Sequence, residues 1–237
     1  MLNIDIHLDL SMNAMEWNRD LRLAVDVINR RETGKTDLPG RAASVVSLPE
    51  LRKGNTSVVV ATQIARYVSE DSLLPGWFSP EQAWAHTQGQ LAWYKTMCAE
   101  GEMVQITNLA ELEKHLVNWN GKNETEKMPV GFILSLEGAD SIITPDYLEI
   151  AWDYGLRAVG PAHYGPGRYA NGTNSSGKMH SVGIQLLRKM EELGMILDMT
   201  HLCDDAFWQA LDHFNGPIWA SHNNCRKLVD HNRQFSD

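Results

Sequence analysis

Six short apolar runs alternate with longer segments of helical periodicity along this chain. The runs begin at Asn3, Thr56, Val130, Leu156, Gly194 and Gly216. The runs in the middle of the chain are apolar at almost every position, which is typical of parallel strands covered by helices on both faces. Strand followed by helix, repeated along the chain, predicts an α/β fold with a parallel sheet.

The segments between the runs carry signals for the starts and ends of helices. A capping residue followed by proline, or by glutamate three residues later, predicts a helix start. Such starts are predicted at Ser47, Ser79-Pro80, Asn108 and Thr144-Pro145. Gly194 is expected to end the helix before the fifth run, because glycine readily takes the left-handed conformation found after helices.

Two α/β plans fit this order of elements, the open doubly wound sheet and the closed eight-stranded barrel. A nucleotide-binding doubly wound sheet would carry a G-x-G-x-x-G turn or a P-loop after a strand, and the sequence contains neither. In a (β/α)8 barrel the chemistry lies at the carboxyl ends of several strands. The residues at those ends therefore distinguish the two plans.

Side chains that can bind metal occur at or near the carboxyl ends of five of the six predicted strands. They are His7 and Asp9 on the first strand, Glu137 on the third, His163 on the fourth, His201 on the fifth and His222 on the sixth. A single histidine at such a position is more often a hydrogen-bonded structural residue than a ligand. Five strands that end in this way favour the barrel plan and a shared metal site.

The residue types at these ends suit a pair of divalent ions. His7 and Asp9 are two residues apart and project in the same direction from a strand, so both can bind one ion such as zinc. Glu137 offers two oxygens and could bridge two ions about 3.5–4 Å apart. Asp5 lies earlier on the first strand, and we expect it to support the site rather than to bind an ion.

Four motifs resemble those of the membrane (renal) dipeptidase family, metallopeptidases in the amidohydrolase superfamily. They are "DIHLD", "SLEGAD", "LDMTH" and "SHNNCRKLVDHNR", in this order. The resemblance extends from about Ile4 to Asp237. It implies a TIM-type (β/α)8 barrel, of which only about six strands are present in this chain, so that the chain is apparently truncated at its C-terminal end.

The resemblance also implies a role for each candidate residue. It implies a site for two zinc ions whose ligands are His7, Asp9, Glu137, His201 and His222. Glu137 would bridge the two ions. His163 would contact the scissile carbonyl and help to stabilise the tetrahedral intermediate, and Arg233 would hold the C-terminal carboxylate of the substrate. The alternative for Arg233 is a plain surface cation.

The function implied is hydrolysis of dipeptides by a hydroxide that bridges the two zinc ions, with Glu137 and His163 as catalytic residues. Two alternatives stay open. One is a related amidohydrolase that acts on another amide, an N-acyl amino acid or a lactam. The other is a catalytically inactive metal-binding barrel, because the aspartate that the family carries at the end of its last strand has no match here. We expect a longer protein to be active and these 237 residues alone to be inactive.

The composition of the chain limits the classes of binding partner and the cellular location that we expect. The length of 237 residues suits a single hydrolase domain, 1–237, incomplete at its C-terminal end. The formal net charge of −9 argues against nucleic-acid and anionic-membrane partners, and no apolar run reaches the roughly 18 residues of a membrane helix. Three widely spaced cysteines and the lack of a secretory signal predict a cytoplasmic location. The family resemblance makes a homodimer an expectation.

Overall fold

Strands and helices alternate along the chain, as the apolar runs predict. The computed structural model describes residues 1–121, 125 and 127–236. The strands are β1 (Asn3–Leu8), β2 (Thr56–Gln63), β3 (Met103–Gln105), β4 (Val130–Glu137), β5 (Leu156–Gly160), β6 (Ile196–Asp198) and β7 (Ile218–Trp219). The helices are α1 (Leu10–Met15), α2 (Val25–Glu32), α3 (Leu48–Lys53), α4 (Pro80–Ala99), α5 (Leu109–Trp119), α6 (Tyr147–Asp153), α7 (Ser181–Leu193) and α8 (Asp204–His213). All six apolar runs form strands, and β3 is a short additional strand that the pattern does not reveal.

The chain divides into two compact units. The first comprises Met1–Thr62 and Gln90–Leu134, and the second comprises Gln63–Gly89 and Ser135–Asp237. In the first unit the spatial order of the strands is β1, β2, β4, and β3 pairs with β4 as well. In the second unit the end of β4 lies next to β5, and the spatial order continues with β6 and β7. The pairs β1–β2, β3–β4, β5–β6 and β6–β7 are parallel. The predicted α/β fold with parallel strands is therefore confirmed, while the assignment of the whole chain to one hydrolase domain stays a prediction.

The core of the first unit is built on β2. Residues 58–61 in the middle of this strand are each at most 2% exposed. Tyr94 of α4 stacks on Phe132 of β4 with ring centroids 5.1 Å apart, and its hydroxyl donates to the carbonyl of Thr62 at 2.8 Å. A strand that is apolar on both faces is thus buried on both faces, as expected for parallel strands covered by helices.

The first strand departs from the usual burial of alternating strands. Ile4 and Ile6 are 52% and 45% exposed, whereas Asp5 and His7 are half-buried. The backbone N–H of His7 donates to the carboxylate of Asp5 at 3.0 Å. Because polar side chains normally occupy the more exposed face, this inversion indicates that Asp5 and His7 are not simply a solvated surface.

Three predicted helix starts are confirmed and one is displaced. The side chains of Asn108 and Ser79 accept hydrogen bonds from backbone N–H groups three residues further on, at 3.0 and 3.2 Å. Helix α3 follows Ser47 directly. Helix α6 begins at Tyr147 rather than directly after Thr144-Pro145, because the Tyr147 N–H bonds to the carbonyl three residues back and forms a tighter turn first.

Helix α7 covers the second unit's sheet and ends as predicted. Leu186, Leu187 and Met190 on its inner face are fully buried. Gly194, directly after the helix, has a φ of 70°, in the left-handed region that favours glycine. The apolar stripe and the terminal glycine thus define the helix that packs beside β6.

The structure also shows the state of the cysteines and the character of the helices. Cys98, Cys203 and Cys225 all carry free thiols. Among the helices in the described part of the chain, none has both the length and the apolar character needed to cross a bilayer.

A buried network of ion pairs in the first unit is centred on Glu32, the last residue of helix α2. The Glu32 carboxylate accepts hydrogen bonds from Arg19 at 2.8 Å, from Arg41 at 2.9 Å and from the backbone N–H of Ala42 at 2.8 Å. The Glu32 side chain is only 4% exposed. The hydrogen bond from Arg19 is the largest cause that lowers the pKa of Glu32, to about 2. Arg19 therefore depends on the Glu32 carboxylate for compensation, whereas Arg41 also pairs with Asp37 at 2.7 Å.

Replacement of Glu32 by glutamine should lower the free energy of unfolding by about 3 kcal/mol, because Arg19 would keep a buried charge without a carboxylate partner. Urea unfolding of wild type and Glu32→Gln measures this difference. Asp26→Asn on the same helix is the matched control, since the Asp26–Arg30 ion pair lies in solvent and should contribute little. Equal losses in the two variants would contradict a compensating role for Glu32.

The stability that Glu32 contributes should depend on pH in one direction. Its pKa is about 2 in the folded chain, below the ordinary value of 4.5, so the contribution is complete above about pH 4.5 and is lost as the pH falls towards 2. The difference in unfolding free energy between wild type and Glu32→Gln should shrink across this range, as measured by urea unfolding at stepped pH. A difference that stays constant or grows below pH 4.5 would be inconsistent with a lowered pKa.

Candidate active site

Four predicted site residues converge in the second unit. Strand β4 ends at Glu137, and His163, His201 and His222 each lie three residues beyond the ends of β5, β6 and β7. The Nε2 atoms of His201, His222 and His163 lie 3.0, 3.2 and 3.8 Å from Oε1 of Glu137. The strands end earlier than the sequence predicted, so the three histidines lie on the loops that follow the strands. One carboxylate oxygen is therefore approached by three imidazoles.

The end of β6 is shaped to place His201. The carboxylate of Asp198 accepts hydrogen bonds from the backbone N–H groups of Thr200 at 3.0 Å and Ser221 at 3.2 Å, which ties the end of β6 to the end of β7. His201 itself has a φ of 72° and is 3% exposed. A left-handed conformation at a residue with a side chain costs about 1–3 kcal/mol and persists where the surroundings enforce it, often at functional sites.

Glycines allow the backbone to pass close to His163. Gly138, directly after Glu137, has a φ of 77°. A Cβ atom at Gly172 would lie 1.8 Å from the carbonyl oxygen of His163, so no other residue fits there. The backbone N–H of Thr173 donates to the same carbonyl at 3.0 Å. The loop after β5 thus folds back onto His163 and holds it beside the end of β4.

Hydroxyl groups orient two of the imidazoles. Nδ1 of His201 lies 3.0 Å from the hydroxyl of Thr173, and Nδ1 of His222 lies 2.8 Å from the hydroxyl of Ser221. In both rings this leaves Nε2 directed at Glu137. Burial lowers the pKa of His201 below its ordinary value, although the hydrogen bond with Glu137 acts in the opposite direction. A neutral imidazole with a free Nε2 is the form that binds metal.

The residues present fit a divalent ion such as zinc. Imidazole nitrogen and carboxylate oxygen are ordinary zinc ligands at about 2.0–2.1 Å, so two ligands of one tetrahedral ion lie about 3.3 Å apart. The separations of 3.0 and 3.2 Å between Glu137 and the histidines His201 and His222 are close to that value. Glu137, His163 and His201 also offer ligand atoms within 4.8 Å of one another. The geometry can therefore hold metal around the Glu137 carboxylate.

Arg233 lies beside this cluster, as predicted. Its guanidinium donates to the side chain of Asn223 at 2.9 Å and to the carbonyl of His222 at 3.1 Å. Burial lowers the pKa of Arg233, whereas the electrostatic interactions with Tyr164 and Glu137 act to raise it. Arg233 is half-buried beside the cluster, and both its binding of a substrate carboxylate and the alternative of a plain surface cation stay predictions.

His7 and Asp9 belong to the first unit. Nε2 of His7 lies 3.6 Å from a carboxylate oxygen of Asp9, so the His-x-Asp pair does project in a common direction. The hydroxyl of Thr62 donates to the same carboxylate. Their role as zinc ligands stays a prediction.

Several residues that contact the cluster are not predicted from the sequence. Thr173 and Ser221 contact the ring nitrogens, and Asp198 ties the strand ends together, yet serine, threonine and aspartate are too common in loops to stand out. Arg66 is different. It lies three residues beyond the end of β2, the same spacing that His163, His201 and His222 have from their strands, and it bonds to Nδ1 of His163. This spacing is the signal that could have identified it.

Comparison with known proteins shows the family to which the chain belongs. The chain belongs to the membrane dipeptidase family, peptidase family M19, whose sequence profile matches residues 1–237. An uncharacterised protein in the PQQ-III 3′ region of Acinetobacter calcoaceticus is 28% identical over 117 residues, covering 46% of this chain and 37% of that protein. Dipeptidase verJ of Clonostachys rogersoniana is 26% identical over 113 residues, covering 46% of this chain and 29% of that protein. The matches thus span well under half the length of these relatives.

Solved structures share the fold. The dipeptidase AC of family M19 matches with a TM-score of 0.78 at 18% identity, over 100% of this chain and 67% of that one. A metallopeptidase from Rhodobacter sphaeroides, liganded with a phosphinate mimic of the dipeptide L-Ala-D-Ala, matches with a TM-score of 0.75 at 19% identity, over 100% and 69%. The prediction of a partial barrel fold of the dipeptidase type is confirmed.

The hydroxyl that orients His201 should matter for metal affinity. Thr173→Val keeps the volume and removes the hydrogen bond to Nδ1, so zinc affinity should fall by about 10- to 100-fold. Competition with a chromophoric chelator measures the affinity. Thr96→Val, on an exposed part of α4, is the control and should leave it unchanged. Unaltered zinc affinity in Thr173→Val would show that the hydroxyl does not support the site.

Proposed function

We propose that the protein is a zinc-dependent dipeptidase that uses two ions. The observation that carries this proposal is the approach of three imidazole Nε2 atoms to within 3.8 Å of one Glu137 oxygen. Membership of the dipeptidase family supports a peptide substrate, and the Rhodobacter sphaeroides protein was solved with a dipeptide mimic bound. The chain spans only part of its relatives, so this activity is proposed for the protein that contains it.

The residues of the second unit divide the reaction between them. A pair of bound divalent ions would supply a water molecule acidic enough to be deprotonated near neutral pH. Glu137, His201 and His222 would hold the metal. His163 would donate its Nε2 hydrogen to the scissile carbonyl oxygen as negative charge develops there, and one such donor contributes about 3–4 kcal/mol to lowering the barrier. His7 and Asp9 are proposed as further ligands on the family resemblance alone.

Arg233 would select the substrate. A guanidinium binds a carboxylate through two parallel hydrogen bonds, which fixes both the position and the orientation of the carboxylate. Since Arg233 bonds to the carbonyl of His222, a carboxylate held by it would lie next to the metal ligands. A peptide bound in this way has a single residue after the cleaved bond, and a dipeptide meets this requirement.

An N-acyl amino acid is a second candidate substrate. It also carries a carboxylate next to the scissile amide, so Arg233 would bind it equally well. The two substrates differ in the free amino group, which a dipeptide has and an N-acyl amino acid lacks. Comparison of a dipeptide with its N-acetylated amino acid counterpart distinguishes the two functions.

Metal content tests the site directly. Mass spectrometry of the purified chain should find about two zinc ions per molecule, and His201→Ala should reduce this to one or none. His213→Ala is the matched control, because His213 lies exposed at the end of α8. A folded sample without bound metal, or equal metal in wild type and His201→Ala, would contradict the proposal.

Arg233 allows a test of the substrate class in a protein that contains this chain. Arg233→Gln should raise KM for a dipeptide by about 10-fold or more, because charge-assisted bidentate bonding is lost. With the corresponding dipeptide amide, which has no carboxylate, wild type and variant should hydrolyse at similar rates. A variant impaired equally on both substrates would show that Arg233 has another role.

A further inference from the structure

Arg66 contacts the proposed catalytic histidine from the loop after β2. Its Nη2 donates a hydrogen bond to Nδ1 of His163 at 2.5 Å, and its Nη1 donates to the carbonyl of Pro75 at 3.2 Å. The side chain is half-buried. Arg66 therefore reaches His163 on the side of the ring opposite to Nε2, which faces Glu137.

The loop that carries Arg66 is held in a defined conformation. The backbone N–H of Trp77 donates to the carbonyl of Arg66, and the N–H of Val68 donates to the carbonyl of Trp77, both at 2.9 Å. A Cβ atom at Gly76 would lie 2.9 Å from the carbonyl oxygen of Arg66 and 2.6 Å from Val68, so the two sides of the loop pack closely. The guanidinium is thus positioned by backbone hydrogen bonds and tight packing.

Arg66 carries a charge that the described part of the chain does not pair. Burial lowers its pKa, and the charges of Asp140 and Glu137 only partly oppose this. Its hydrogen-bond acceptors are a ring nitrogen and a carbonyl rather than a carboxylate, and its Nε is buried without a partner. A half-buried cation without an acidic partner lowers the stability of the folded chain. Arg66 is therefore a candidate for a functional role rather than a stabilising one.

We propose that Arg66 is a positioning residue that fixes His163 in the tautomer with its hydrogen on Nε2. A guanidinium has only donors, so Nδ1 of His163 must accept. The hydrogen of the neutral ring then lies on Nε2, on the side of Glu137. This inference rests on the proposed function, in which His163 donates that hydrogen to the scissile carbonyl.

The three imidazoles therefore differ in the group that contacts Nδ1, which is a hydroxyl for two of them and a guanidinium for the third. Thr173 and Ser221 offer hydroxyls, which can accept a hydrogen from Nδ1 of His201 and His222 and leave Nε2 with a lone pair for metal. Arg66 cannot accept, so Nε2 of His163 has no lone pair to give. His163 is accordingly a hydrogen-bond donor and not a metal ligand, although its ring lies close enough to the cluster to be one.

Nitrogen NMR of the zinc-loaded chain with 15N-labelled histidine tests the tautomer without any activity assay. We expect His163, assigned by loss of its signals in His163→Gln, to show a hydrogen on Nε2 and none on Nδ1. Arg66→Met, which offers no donor to Nδ1, should give a mixture or the other tautomer, and Arg66→Lys, which keeps a cationic donor, should keep the wild-type pattern. Arg157→Met is the matched control, because Arg157 stacks on the ring of Trp152.

Two results would overturn the positioning role: a hydrogen on Nδ1 of His163 in wild type, or an unchanged tautomer in Arg66→Met. Should Arg66→Met fail to fold, the wild-type spectrum and Arg66→Lys still decide. In a protein with dipeptidase activity, Arg66→Met should lower kcat by about 100-fold with little change in KM, since His163 donates as charge develops on the carbonyl oxygen. The predicted tautomer in a protein without dipeptidase activity would overturn the proposed function and leave the positioning role supported.

Discussion

The contact between one carboxylate oxygen and three imidazoles organises the second unit. Oε1 of Glu137 can meet His163, His201 and His222 only because β4 to β7 are neighbours, so that the loops after their carboxyl ends meet at one edge of the sheet. The left-handed backbone at His201 follows from the same requirement. The local costs of this arrangement are offset by the buried strands and by helix α7, which packs beside them.

Much of the fold can be predicted from the sequence because its signals are local. Apolar runs define the six strands, and Asn108 and Gly194 mark helix ends through contacts with residues a few positions away. What the sequence does not reveal depends on tertiary contacts. Strand β3 is three residues long, too short for any periodicity, and β6 and β7 end early because Asp198 bonds to backbone groups that a longer ladder would use.

The same distinction applies to the site. Glu137 and the histidines can be predicted because histidine and glutamate near strand ends are uncommon and chemically informative. Thr173 and Ser221 cannot be predicted in that way, since their roles arise from loops that fold back across the sheet edge, and Arg66 is marked only by its spacing from the end of β2. Yet these residues offer the imidazoles different partners: hydroxyls suit the proposed metal ligands His201 and His222, whereas the guanidinium suits the proposed donor His163.

The most direct test of this account is the X-ray absorption spectrum of the zinc-loaded protein, compared with that of Glu137→Ala. Binding around Glu137 predicts a shell of nitrogen and oxygen atoms at about 2.0–2.1 Å with the scattering pattern of imidazole, and loss or marked change of that shell in the variant. A sulfur shell near about 2.3 Å would place zinc at a cysteine instead. That result, or an identical spectrum for Glu137→Ala, would contradict a metal site built on this carboxylate.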